Sequence, residues 1–126
     1  KERVVVGELD WESLETHAAE VKRYLPLPRF PGVERDLAVV VPETVPAEAV
    51  QECVRQVAGK FLESVGVFDV YRGAQIPAGH KSLALGMVYR HPERTFTDAE
   101  VDQIEEAVIK ELEERLGAKL RKADGL

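Results

Sequence analysis

Two strand-like segments at the centre of the chain, LESVGVFDVYR at residues 62–72 and SLALGMVYR at residues 82–90, establish the architecture. β-Branched and aromatic residues are frequent in both, which favours an extended backbone. The connecting residues 73–81 (GAQIPAGHK) are too many for a two-residue turn, but Gly73, Pro77 and Gly79 are typical of a loop. The sequence therefore predicts a β-hairpin at this place.

A helix is predicted on each side of this hairpin. The first has Pro46 at a first-turn position and ends at Gly59. The second begins with a capping box of the S/T-x-x-E type, formed by Thr97 and Glu100, and ends at Gly117. The inner apolar stripes are Val50, Cys53, Val54 and Val57 in the first helix, and Val101, Ile104, Val108 and Leu112, with Leu116 close behind, in the second.

A first and a last strand complete the pattern. Residues 35–41 (RDLAVVV) alternate, with Leu37, Val39 and Val41 on one side, and residues 118–122 are predicted as a short last strand. The order from residue 35 is β-α-β-β-α-β, in which a four-stranded antiparallel sheet carries two helices on one face. The predicted class is α+β, a ferredoxin-like sandwich whose other sheet face is open. Because many functions share this fold, the function has to be inferred from particular residues.

The first part of the chain is predicted to be separate from this unit. Residues 22–32 (KRYLPLPRFPG) contain three prolines, which is typical of a linker. Residues 3–9 (RVVVGEL) have the composition of a short strand, and Asp10 is a possible N-cap for a helix through about His17. We interpret residues 1–24 as the severed edge of a preceding domain plus the linker, and residues 25–126 as a domain.

Length and composition exclude several classes of protein. A chain of 126 residues has room for one domain and a short arm, not for separate cofactor and substrate lobes. No apolar run approaches the roughly 20 residues of a membrane span, nothing resembles a signal peptide, and the single Cys53 allows no internal disulfide. We expect a cytoplasmic protein that binds neither membrane nor DNA.

The net charge of −6 is concentrated on the second predicted helix. Between residues 98 and 116, two basic residues, Lys110 and Arg115, stand against eight acids: Asp98, Glu100, Asp102, Glu105, Glu106, Glu111, Glu113 and Glu114. Since the rest of the chain sums to zero, the overall charge does not exclude a nucleic-acid surface elsewhere. We expect a solvated acidic helix face, with Glu105 and Glu113 on its solvent side.

The common catalytic and metal-binding motifs are not found in the sequence. It has no GxxxxGK[ST], HExxH or CxxC pattern, and His17, His80 and His91 have no metal-ligand spacing among them. We expect no catalytic centre, no cofactor and no metal site in this chain.

Three well-spaced blocks carry a resemblance to a known family. They are PRFPGVERDLAVVV at 28–41, FDVYRG at 68–73 and KSLALGMVYRHPERTFTDAEVD at 81–102, followed by GAKLR at 117–121. They resemble the ferredoxin-fold anticodon-binding domain at the C-terminus of the β chain of bacterial phenylalanyl-tRNA synthetases. Residues 4–14 (VVVGELDWESL) are similar to the strand that closes the neighbouring catalytic-like domain there, which favours the bacterial β chain over organellar single-chain synthetases.

The resemblance implies that the domain holds the anticodon region of tRNA(Phe) in an (αβ)2 enzyme, whose α chain activates phenylalanine with ATP and Mg²⁺. This chain would then be a fragment of an aminoacyl-tRNA synthetase that contributes to protein biosynthesis without a catalytic centre of its own. Two alternatives stay open. One is an architectural module that docks synthetase subunits, and the other is a regulatory domain that binds a small metabolite at a dimer interface.

The register of the strands selects the residues of the open face. If Phe68 and Val70 point to the helices, alternation places Val67, Asp69 and Tyr71 on the open face. By the same reasoning Asp36 and Ala38 lie there too. For the third strand we choose Leu83, Leu85, Met87 and Tyr89 as the inner set and Ala84, Gly86, Val88 and Arg90 as the outer set, with the opposite register left open.

The candidate tRNA-binding residues are Tyr71, Arg72, Lys81, Arg90, Arg94 and Asp69. Tyr71 is expected either to stack on a base or to pack within the sheet. Asp69 is expected to pair with Arg35 or Arg90, or to accept a hydrogen bond from a base edge. The four cations either contact phosphate or form a solvated rim. Four further residues have structural roles: Thr97 and Glu100 at the helix start, and Arg35 with Asp36 anchoring the proline-rich linker to the sheet.

Overall fold

The computed structural model describes residues 2–18, 24 and 26–121. Its elements are α1 (Trp11–His17), β1 (Val33–Pro42), α2 (Ala47–Ala58), a 3₁₀ turn (Gly59–Phe61), β2 (Leu62–Tyr71), β3 (His80–Tyr89), α3 (Asp98–Leu116) and β4 (Lys119–Leu120). From β1 onward this is the predicted β-α-β-β-α-β order. The prediction of an α+β ferredoxin-like fold is confirmed.

The four strands form one antiparallel sheet in the order β2-β3-β1-β4. β1 pairs with β3 along its whole length, from Val33 opposite Tyr89 to Pro42 opposite His80. β4 is shorter than predicted and pairs only with the middle of β1. β2 and β4 are therefore the two edge strands of the sheet.

The core lies between the sheet and the two long helices. The chosen register of β3 is confirmed, since Leu83, Leu85, Met87 and Tyr89 are at most 1% exposed. The Tyr89 hydroxyl donates a hydrogen bond to the Met87 sulfur at 3.2 Å, and burial raises the pKa of Tyr89 to about 12. Cys53 of α2 is 2% exposed, and burial likewise raises the pKa of its thiol. Leu37, Val39 and Val41 of β1 and Val101, Val108 and Leu112 of α3 complete the buried layer.

The predicted ends of α3 are confirmed. The Thr97 side chain accepts a hydrogen bond from the Glu100 backbone N–H, and the Glu100 carboxylate accepts one from the Thr97 N–H at 3.0 Å. Gly117 ends the helix in the left-handed region, at φ 62°. α2 starts one residue later than expected, with Pro46 at the N-cap instead of the first turn.

β2 is the strand in which the alternation prediction is wrong. Its pairing with β3 shifts register between Val67 and Asp69, so Phe68 is the extra residue of a β-bulge. Val67 pairs with Leu85 and packs against the core, whereas Phe68 is 64% exposed. The expected positions of Phe68 and Val67 are thus exchanged. Asp69 and Tyr71 keep the predicted side because the strand resumes its alternation after the bulge.

The arm before the linker agrees only in part with expectation. α1 is present, and Asp10 accepts a hydrogen bond from the Glu12 N–H as its N-cap. Residues 3–9 form no strand, because a strand needs a hydrogen-bonding neighbour that this part of the described chain does not supply. Val4, Val5 and Val6 are consequently highly exposed. Within the ranges described, no helix combines the length and apolar character needed to cross a lipid bilayer.

Candidate nucleic-acid interface

The sheet face opposite the helices has a floor of small residues. Gly66 of β2 stands opposite Gly86 of β3, and Ala84 of β3 stands opposite Ala38 of β1. A Cβ atom built on Gly66 would meet no atom within 4 Å, so the surface above it is open space. A flat group can therefore approach the backbone closely here.

Phe68 lies beside this floor. A Cβ atom built on Gly86 would lie 3.5 Å from the Phe68 ring and 3.7 Å from an Asp36 carboxylate oxygen, which places both groups on the open face. An exposed aromatic ring over small residues is the type of surface on which single-stranded bases stack. Sequence reasoning missed Phe68 by assigning it to the core. The one available signal was Gly66, because a glycine inside a strand often accompanies a bulge.

Tyr71 is less available than sequence reasoning assumed. It lies opposite Ser82 on the open face and is 38% exposed, but the Arg121 guanidinium lies 5.1 Å from its ring centroid. A Cβ atom on Gly73 would lie 2.0 Å from the Tyr71 hydroxyl, so a larger residue there would displace the Tyr71 ring. Arg121 belongs to the GAKLR motif but was not among the candidates.

Asp69 is exposed and lies opposite Ala84 on the open face. The prediction that it pairs with Arg35 or Arg90 is wrong. Arg35 stands opposite Met87 on the helix side of the sheet, and Arg90 binds Glu63 at 2.8 Å.

Arg72 and Lys81 both bind Glu43, in the turn after β1. The Arg72 guanidinium holds the Glu43 carboxylate with two nitrogens, with Nη2 at 2.7 Å and Nε at 3.0 Å from Oε1. These hydrogen bonds lower the pKa of Glu43 and raise the pKa of Arg72. The Lys81 ammonium donates to the Glu43 carbonyl oxygen at 3.0 Å, and the residue is only 8% exposed. The structure thus gives both cations internal partners.

Arg90 performs the anchoring that was predicted for Arg35 and Asp36. Besides its ion pair with Glu63, it donates a hydrogen bond to the Phe30 carbonyl oxygen in the linker. The linker also needs Gly32, since a Cβ atom there would approach Val88 Cγ1 to 2.8 Å.

Arg94 binds the capping-box carboxylate. Its Nη1 lies 2.8 Å from Glu100 Oε2, and this pairing raises the pKa of Arg94 and contributes most to lowering the pKa of Glu100. Arg94 is therefore part of the start of α3.

The prediction that Arg35 and Asp36 anchor the linker is wrong, because alternation in β1 sends them to opposite faces. Arg35 binds Asp98 of α3 at 2.8 Å and lies 3.7 Å from Asp102 and from Glu105, and the bond to Asp98 is the main cause of its raised pKa. Glu105 is not solvent-facing as expected, since burial raises its pKa and its side chain is only 18% exposed. Glu113 is exposed as predicted.

The histidines lie apart from one another. His91 stacks on Phe61 at 5.4 Å between ring centroids and meets Phe96 edge-on at 5.3 Å, which places it in an aromatic cluster beside the helices. Among the residues that the structure describes, no group of three or more histidine, cysteine or carboxylate side chains is arranged to hold a metal ion.

Comparison with known proteins agrees with this geometry. The model of the family described as "Ferredoxin-fold anticodon binding domain" matches residues 28–121. Proteins named phenylalanine–tRNA ligase beta subunit are 56% identical in Moorella thermoacetica, 45% in Clostridium tetani and 39% in Thermotoga maritima, over 94%, 95% and 96% of this chain. The chain spans about 15% of the length of each of these relatives. It belongs to the ferredoxin-fold anticodon binding domain family.

Proposed function

We propose that this chain binds the anticodon region of tRNA(Phe) through the open face of its sheet, as part of a phenylalanyl-tRNA synthetase β chain. The observation that carries the proposal is the 64% exposed Phe68 ring beside the floor of Gly66 and Gly86. The family to which the chain belongs and the names of its relatives support the same function.

We assign different roles to the open-face residues and the cations around them. Phe68 and Tyr71 stack on bases, and the carboxylates of Asp69 and Asp36 accept hydrogen bonds from base edges. The cations Arg72, Lys81, Arg90 and Arg94 hold the hairpin, the linker and the start of α3 in place. Of these, Arg72 and Arg94, whose side chains are 56% and 50% exposed, also have surface left for a phosphate contact.

The chemistry of aminoacylation belongs to the rest of the assembly in this proposal. The α chain of a cytoplasmic (αβ)2 enzyme activates phenylalanine with ATP and Mg²⁺, and this segment contributes by holding the tRNA. In the described part of the chain, no three or more histidine, cysteine or carboxylate side chains are grouped to hold a metal ion, and the role proposed for this segment is tRNA binding.

We also propose that residues 25–126 form a domain without residues 1–24. Deleting residues 1–22 should change the free energy of unfolding by less than about 0.5 kcal/mol, because Val4, Val5 and Val6 are exposed and α1 buries no residue. Thermal unfolding followed by circular dichroism measures this. A molten or aggregated product would show that the arm belongs to the folded unit.

The substitution Gly66→Val in the intact synthetase tests the RNA-binding function. Valine fits the fold, because Gly66 has open space above it and lies in a strand. The φ angle of Gly66 is not positive, so a side chain causes no backbone strain there. Its side chain occupies the floor that a base would approach. We expect tRNA affinity to fall roughly tenfold, since base stacking is worth about 1–3 kcal/mol. Phenylalanine-dependent ATP–pyrophosphate exchange should be unchanged.

Ala107→Val is the matched control, because it adds similar bulk to an exposed position on α3. An architectural module predicts that Gly66→Val leaves tRNA affinity unchanged, while a variant at its docking surface alters subunit assembly. A regulatory metabolite-binding domain predicts instead self-association of the isolated chain and its stabilisation by the ligand. Unchanged tRNA affinity in Gly66→Val would contradict the proposed function.

A further inference from the structure

We propose that the β4 edge is a second part of the RNA interface, in which Lys119 and Arg121 bind backbone phosphate and an adjoining cavity receives one nucleoside. This inference rests on the proposed function, because it extends the same open face beyond Tyr71. It assigns phosphate binding to cations other than those the sequence suggested.

The cavity lies between the open face and the β2–β3 loop. Its volume is about 460 Å³, within the roughly 300–1,000 Å³ of ligand pockets. The strand register places three of the lining residues, Val40, Lys119 and His80, on the open side of the sheet. Val40 pairs with both Lys119 and Ser82, and His80 lies two residues before Ser82 in β3 and therefore on the same side. The lining residues are Val40, Pro77, His80, Gly117, Lys119 and Leu120. Apolar walls with a cation at the border suit a nucleoside joined to a phosphate.

The loop that forms one wall is held in place by several contacts. Ile76 is 8% exposed and its N–H donates to the Gly73 carbonyl at 2.9 Å. The Gly79 carbonyl accepts a hydrogen bond from the Glu43 N–H at 2.9 Å, which ties the loop to the end of β1. The wall is thus preformed, which lowers the cost of ordering it on binding.

His80 adds a polar group to this wall. Its Nδ1 lies 3.1 Å from the Ala78 carbonyl oxygen. Because a carbonyl oxygen only accepts hydrogen bonds, this contact is a hydrogen bond in the Nδ1–H tautomer, in which Nε2 is an acceptor. A ribose hydroxyl or a base amino group can donate to it.

Lys119 and Arg121 differ in their partners from the arginines that the sequence suggested. Arg72, Arg90 and Arg94 each bind a carboxylate, and a phosphate would have to compete with that carboxylate. Neither Lys119 nor Arg121 forms an ion pair with any residue that the structure describes. Within the described residues, these two can therefore bind phosphate without displacing a carboxylate.

Arg121 is also held in position for this role. Its backbone N–H donates to the Ala38 carbonyl at 2.8 Å, and its Nη2 donates to Gln75 Oε1 at 3.3 Å. The guanidinium over the Tyr71 ring can bind a phosphate with its outer nitrogens while it keeps the cation–π contact. Because the guanidinium lies 5.1 Å from the Tyr71 ring centroid, phosphate binding at Arg121 would adjoin base stacking at Tyr71 on the same sheet face.

The test uses Lys119→Ala and Arg121→Ala in the intact synthetase, titrated with tRNA at several salt concentrations. Each variant should weaken binding and reduce the slope of log affinity against log salt by about one unit, because each removes one phosphate contact. Arg121→Lys keeps the charge and should restore the slope. Since only the side chain of Arg121 changes, its backbone pairing with β1 is retained in both variants.

Lys60→Ala is the matched control, since the Lys60 ammonium also lies over an aromatic ring, 5.2 Å from the Phe61 centroid, but in the 3₁₀ turn after α2. Its slope should equal that of the parent. The inference is overturned if Lys119→Ala and Arg121→Ala bind like the parent, or if Lys60→Ala lowers the slope equally. If Gly66→Val weakens binding in the same series, only the β4 assignment fails. If Gly66→Val also binds normally, the open-face function fails.

Discussion

Replacing Leu112 by alanine should destabilise the folded chain by about 2–5 kcal/mol, the largest effect that we expect from a single substitution. Leu112 is 0% exposed and is among the largest fully buried side chains, in the inner stripe of α3. Its removal loses the transfer free energy of the side chain and leaves a cavity between α3 and the sheet. The Tm should fall by at least about 8 °C, since 1 kcal/mol corresponds to roughly 4–8 °C in a domain of this size.

Calorimetry or urea unfolding of the 126-residue chain measures the Leu112→Ala effect. Glu113→Ala is the control, because Glu113 follows directly on the same helix and is exposed, and its cost should stay within about 0.5 kcal/mol. A loss below about 1 kcal/mol for Leu112→Ala would show that α3 does not close the core as described.

The elements that sequence reasoning predicted correctly are those with local signals. The start of α3 is set by the capping box of Thr97 and Glu100, and its end is set by Gly117. Each signal lies within a few residues of the helix end that it determines. The inner set of β3 follows from strict alternation, which a central strand with neighbours on both sides retains. In both cases the residues that decide the structure are close together in sequence.

The bulge in β2 could not be predicted in the same way, although it determines the candidate site. One inserted residue exchanges the positions of Val67 and Phe68 while their hydrophobicity stays compatible with either side. Which of the two residues faces the core depends on the pairing of β2 with Leu85 and Gly86 of β3, and this pairing is a tertiary contact.

The ion-pair partners of the cations also could not be predicted from the sequence. Arg72 and Glu43 are 29 residues apart, and Arg35 and Asp98 are 63 apart. With 23 acidic residues in the chain, composition cannot assign an acid to each arginine. The sequence thus pointed to the correct face of the sheet for Tyr71 and Asp69, but it did not indicate which cations are already engaged.

Replacing Phe68 by alanine in the intact synthetase should weaken tRNA binding by about 1–3 kcal/mol, or roughly 5- to 150-fold. The ring is 64% exposed beside Gly86, so its loss removes a stacking surface and little of the core. Because the side chain carries no charge, the salt dependence of binding should keep its slope. This separates the Phe68 effect from that of the β4 cations.

Direct titration with tRNA at two salt concentrations measures this, with ATP–pyrophosphate exchange as the check that the remainder of the enzyme is intact. Val70→Ala is the control, since Val70 follows in the same strand but pairs with the buried Leu83 on the helix side. Phe68→Trp keeps a stacking ring and should therefore bind tRNA more tightly than Phe68→Ala. If Phe68→Ala has the same tRNA affinity as Val70→Ala, the bulge has only a structural role and Phe68 does not stack on a base. Base stacking would then have to be tested at Tyr71.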